Sequence, residues 1–158
     1  MQKFSYSEKF KPKEIKDPRV KKLLKEIKRP VKAVEVKDLR RGEGKHGPKY
    51  VGASVYHARK ILVDKDLNKK DKYETIVHEV AHYKVREKNP RFGKKVMSEL
   101  KKTKMYANYK KQGYQTKKIP EEIFVNYYMN QKTHPSKLNK FKKKFPEATK
   151  KFKELMRR

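Results

Sequence analysis

Apolar positions along this chain change spacing several times, and each change predicts an element. Residues 1–16 scatter Phe4, Tyr6 and Phe10 among lysines without a period and read as a mobile or docking arm. After Asp17-Pro18, the residues Val20, Leu23, Leu24 and Ile27 recur at helical spacing until Arg29-Pro30 stops the run. Strand character follows at residues 31–36, then near 50–56 and 59–63. A loop at 40–48 carrying Gly42, Gly44 and Gly47 lies between them. Residues 69–87 form the longest helical stretch, with Ile76, Val77, Val80 and Ala81 as its apolar arc, Asn68 as N-cap and Asn89-Pro90 as stop. A helix is predicted over 94–109 with Val96, Met97, Leu100 and Met105 inward. Gln112-Gly113 interrupts before a further helix over 119–129. Residues 137–145 and 146–156 read as two basic amphipathic helices, or one broken at Pro146. Their stripe of Leu138, Phe141, Phe145, Phe152, Leu155 and Met156 suits core packing. No internal repeat is visible. The predicted fold class is α+β: a small, mostly antiparallel sheet of about three strands packed on the 69–87 helix, with a glutamate-bearing helix and additional C-terminal helices.

The 69–87 helix carries His78-Glu79-Val80-Ala81-His82, the H-E-x-x-H arrangement of zinc peptidases. Residues four apart on a helix share a face, so His78 and His82 can present two imidazoles to one metal. Glu79 projects about 100° away, within reach of a metal-bound water without being a ligand. A catalytic zinc takes three protein ligands plus water, and a carboxylate beside it can take that water's proton. Glu79 is therefore the candidate general base.

Two imidazoles leave one ligand to find, and the remaining histidines are His46, His57 and His134. Among carboxylates, Glu121 and Glu122 follow Pro120 in the first turn of the 119–129 helix, where acidic residues also complement the helix dipole. Glu122 is the first candidate for third ligand, with Glu121, a histidine or no third ligand as alternatives. Glu122 and Asn126 lie four apart, so Asn126 can accept the second ring N–H of a ligating histidine while Glu122 ligates.

The pairing of His78-Glu79-x-x-His82 with Glu122-x-x-x-Asn126 resembles the gluzincin class of zinc metallopeptidases, and most of all the soluble minigluzincins. The resemblance spans roughly residues 31–130. Asparagine at 126 departs from the more usual aspartate and is a neutral, poorer acceptor. The resemblance implies peptide hydrolysis at one zinc ion per chain and a downstream His or Tyr steadying the oxyanion, for which His134, Tyr127 and Tyr128 are the candidates. It also implies an edge strand beside the cleft that binds extended peptide, at 50–56 or 59–63. Minigluzincins further imply a latent enzyme, in which the 1–16 arm or the helices after Pro135 would block the cleft. Gly52-Ala53-Ser54, Ile61-Leu62-Val63 and Phe92 are similar to SprT-like peptidases and their relatives. Some of those relatives use a third histidine six residues past the motif, where this chain has Lys88, which cannot ligate while protonated.

Composition narrows the setting. A chain of 158 residues can bury a modest core, here read as a catalytic domain over 17–134 between the 1–16 arm and a basic helical extension at 135–158. Without cysteine, any metal must be held by nitrogen and oxygen. No apolar run approaches the ~18–20 residues that span a membrane and no secretory signal opens the chain, as expected of a soluble cytoplasmic protein. The net charge of +29 comes from 47 Lys and Arg against 18 Asp and Glu. Residues 101–158 hold 18 basic against four acidic side chains. Such an excess suits weak binding of nucleic acid or another polyanion beside the peptide or protein substrate. The alternative function is a basic nucleic-acid-binding protein whose zinc site is structural or vestigial.

Overall fold

A computed structural model describes residues 4–42 and 49–157; His46 and the 43–48 part of the expected loop lie outside them. The chain divides into two compact units, Met1–Tyr83 and Lys84–Arg158.

The first unit is built on a four-stranded sheet. Its strands are β2 (Lys13–Glu14), β3 (Lys32–Val36), β6 (Lys60–Asp64) and β5 (Gly52–Val55), in that spatial order. Only the central pair, β3 with β6, is parallel. Two short strands, β1 (Phe4–Ser5) and β4 (Arg40–Arg41), form a separate antiparallel pair. The class is thus α+β with mostly antiparallel pairing, and the larger sheet has four strands where about three were expected. The extra strand, β2, comes from the opening segment. Two-residue strands are too short for an alternating pattern to be visible in sequence.

Central strands buried on both faces need near-continuous apolar residues. β6 supplies Ile61, Leu62 and Val63, all buried. On one face Val34, Val36, Leu39, Ala53 and Leu62 cluster, with Phe4, Tyr50 and Val55 packed against them. The other face carries Gly52, Ser54 and Glu35. It meets α2 (Lys69–Lys88), whose Ile76, Val77, Val80 and Ala81 are fully buried. Helix α1 (Pro18–Leu24) buries Val20 and Leu23, with the Asp17 carboxylate accepting from the Arg19 amide.

Strand β5 runs alongside α2, and the two repeats match. Gly52 faces Thr75 and Ser54 bonds Glu79. Two strand residues advance about 6.7 Å and four helix residues about 6.0 Å, so successive inward positions stay opposed. The Tyr83 hydroxyl, one further turn on, lies 3.2 and 3.1 Å from the carbonyls of Val55 and Lys60 and pins the far end of the strand. A Cβ on Gly52 would collide with the Thr75 methyl. That methyl is held in place because the Thr75 hydroxyl donates to the Asp71 carbonyl at 2.7 Å. Gly52→Ala should therefore cost about 1–3 kcal/mol in urea unfolding. Thr75→Ser in the same chain should restore most of it; a double variant no more stable than Gly52→Ala would contradict this packing.

In the second unit the expected 94–109 helix is two: α3 (Gly93–Leu100) and α4 (Lys104–Lys111). Buried Thr103 divides them. Its hydroxyl donates to the Leu100 carbonyl at 2.7 Å and accepts from the Tyr106 amide at 3.0 Å, closing one helix and capping the next. Then follow α5 (Ile119–Thr133), α6 (Asn139–Lys144) and α7 (Pro146–Met156), with Pro146 opening the last helix. Phe92, Phe124, Tyr127, Phe141 and Phe152 pack ring against ring in one aromatic core. Side chains hold α7 at both ends. Glu99 accepts from the Ala148 amide at 3.0 Å, while the Lys84 and Lys88 ammoniums donate to the Met156 and Glu154 carbonyls at 2.8 and 3.2 Å. Among the described residues no helix is long and apolar enough to cross a membrane.

Candidate metal centre

Helix α2 begins where its cap chemistry dictates. The Asn68 Oδ1 accepts from the Asp71 amide at 2.8 Å, and its Nδ2 donates to the Asp71 carboxylate at 3.0 Å. The apolar arc then seats the helix on the sheet and fixes which way the remaining faces point. His78 and His82, one turn apart, bring their Nε2 atoms to 3.2 Å. Two nitrogens bound to one tetrahedral ion at about 2.0–2.1 Å stand about 3.3 Å apart, so this pair already has the spacing of a shared cation.

The carboxylate of Glu122 completes the set. His78, His82 and Glu122 each offer one ligand atom, these atoms lie within 4.8 Å of one another, and together they form a group that could hold a metal ion. Glu121, the alternative carboxylate, is not in that group. A set of two imidazoles and one carboxylate has the donor chemistry of an open catalytic site.

Electrostatics prepare the ligands. Burial, with a smaller contribution from the charge of His82, lowers the His78 pKa to about 4. Its imidazole is therefore neutral near pH 7, with a lone pair to give. Burial pushes the Glu79 carboxyl up, opposed by the charge of His82 and by the Ser54 hydroxyl, which donates to Glu79 Oε2 at 2.5 Å. A carboxylate raised toward neutrality is a better proton acceptor from water than an ordinary glutamate.

Other candidates are distributed unevenly. Asn126 Oδ1 accepts from Asn130 Nδ2 at 3.0 Å, which uses one of its two lone pairs. Tyr127 is buried among Phe141 and Phe152, and burial raises its phenol pKa. Tyr128 packs against Phe124 with the Lys132 ammonium over its ring. His134 sits exposed at the end of α5, its Nδ1 3.1 Å from the Thr133 hydroxyl, and His57 is exposed in the turn after β5. Neither histidine joins the ligand group. The 59–63 segment is not an edge: β6 pairs on both sides, because β3 lies parallel to it and β5 antiparallel. Of the two expected segments, β5 is at an edge of the sheet, with β2 at the other edge.

Two residues to which the sequence assigns no role lie beside the site. Ser54 is one, brought to Glu79 by the β5 register. Tyr109 is the other, a half-buried phenol whose pKa is raised by burial and then by the nearby Glu122 carboxylate. Comparison with family models, curated proteins and solved structures gives no match for this chain.

Proposed function

We propose that this protein is a zinc-dependent metallopeptidase of gluzincin type. The observation that carries the reading is the convergence of the His78, His82 and Glu122 ligand atoms beside a half-buried, hydrogen-bonded Glu79. The donor set suits zinc, a borderline ion content with imidazole and carboxylate in tetrahedral geometry. When bound there, zinc supplies Lewis acidity toward a peptide carbonyl and makes water acidic near neutral pH.

The chain's own residues supply the proton traffic and the positioning. Glu79 takes the proton of the attacking water and later delivers it to the leaving nitrogen. Ser54 orients the Glu79 carboxylate through Oε2 and favours its ionised form. β5, paired on one side with β6, offers its other edge to an extended peptide through main-chain hydrogen bonds. Tyr109, close enough to Glu122 for their charges to interact, joins Tyr127, Tyr128 and His134 as a candidate for steadying the oxyanion.

The test is metal dependence. Zinc-loaded protein should hydrolyse a generic unfolded protein substrate, lose that activity to a chelator, recover it with added zinc and be inhibited by a peptide hydroxamate. Hydrolysis that survives complete chelation would remove the reading.

A further inference from the structure

Between the last turn of α3 and the start of α5, residues 101–118 contain seven lysines and no acidic residue. All seven (Lys101, Lys102, Lys104, Lys110, Lys111, Lys117 and Lys118) are exposed. None has an ion-pair partner among the described residues, whereas Lys72 and Lys151 elsewhere pair with Glu35 and Glu154. A positive field of this kind attracts polyanions.

Amid these lysines stands an aromatic pair held rigid by the backbone. Helix α4 ends in a Schellman turn: Gly113 takes a left-handed φ of +86°, its amide bonds the Lys110 carbonyl at 3.1 Å, and the Tyr114 amide bonds the Tyr109 carbonyl at 3.1 Å. The accompanying side-chain contact is Tyr114 against Tyr109, edge to face with ring centroids 5.1 Å apart. That contact requires only an apolar partner. Yet the residue is a tyrosine left 40% exposed, one of the few large hydrophobic residues so placed.

We infer that the α4–α5 connection is a docking surface for single-stranded nucleic acid, with Tyr114 as a stacking platform for a base and the flanking lysines engaging the phosphates. Fixed in advance by the turn and by Tyr109, the ring loses little freedom when a base stacks on it. A duplex hides its base faces within the stack, so an aromatic platform discriminates in favour of unpaired strands. Acidic protein could satisfy the lysines but gives the exposed ring no flat partner. The inference stands independently of the peptidase reading.

The experiment measures fluorescence anisotropy of labelled oligothymidylate of about ten nucleotides, a duplex of equal length, and poly-glutamate as competitor. Wild-type protein should prefer the single strand. Tyr114→Leu keeps the apolar contact with Tyr109 and so preserves the fold, but should weaken binding about five-fold or more; Tyr114→Phe should bind as wild type. Lys110→Gln and Lys111→Gln should each reduce the slope of log affinity against log salt by about 0.7. Unchanged affinity in Tyr114→Leu, equal or tighter binding of the duplex, or displacement by poly-glutamate as effective as by unlabelled oligothymidylate would each overturn the assignment.

Discussion

Glu79→Gln should lower peptide hydrolysis by about 10²–10⁴-fold while leaving zinc stoichiometry unchanged. Glutamine has the shape of the glutamate and can still accept a hydrogen bond from Ser54 through its amide oxygen, so the β5–α2 contact survives. It cannot take a proton from water. The atoms that could ligate a metal belong to His78, His82 and Glu122, so metal content separates loss of the base from loss of the site. A variant that retains zinc and still cleaves at the wild-type rate would exclude Glu79 as base. The neighbouring hydroxyl sharpens the assignment through pH. Burial raises the Glu79 carboxyl and the Ser54 hydrogen bond lowers it. Removing the bond in Ser54→Ala therefore raises the carboxyl further. The acid limb of kcat/KM, which reports the free enzyme's base, should move to higher pH. A limb that stays in place, or moves to lower pH, would assign it to another group.

The helix bearing this site was legible because several local signals agree on it. Asn68 caps it, the apolar arc has helical spacing, and the two histidines fall one turn apart. Asn68 does bond the Asp71 amide, and Ile76, Val77, Val80 and Ala81 are fully buried. Elsewhere the deciding information is not local. Val96, Leu100 and Met105 keep nearly helical spacing across a break that depends on whether the Thr103 hydroxyl turns back to Leu100 and forward to Tyr106. The identity of the edge strand rests on β3 pairing with β6 across more than twenty intervening residues. The one local clue was the unbroken apolar run Ile61-Leu62-Val63, the mark of a strand covered on both faces. Ser54 shows the same limit. Alternation puts it on the face opposite Ala53, but only the register of β5 against α2 brings its hydroxyl to Glu79.

Glu122→Ala should weaken zinc binding by more than about 100-fold, whereas Glu121→Ala should leave it unchanged. Loss of a residue that merely supports a ligand typically costs 10–100-fold in metal affinity, and removing a direct ligand should exceed that. The same difference appears as stability, because zinc bound only by the folded chain stabilises it by mass action. At free zinc 100 times the dissociation constant the gain is about 2.7 kcal/mol, or roughly 5–10 °C in Tm for a chain of this size. At the same zinc concentration, a 100-fold weaker variant gains only about 0.4 kcal/mol, roughly 1 °C. His78→Ala supplies the positive control. Its imidazole is neutral near pH 7, so its removal takes away an available ligand and not a charge. The two glutamates are adjacent in the first turn of α5, and each contributes similarly to the helix dipole. Any general effect of removing an acidic side chain from that turn should therefore appear in both variants. A zinc-dependent rise in Tm that persists in Glu122→Ala, or disappears equally in Glu121→Ala, would take Glu122 out of the coordination sphere.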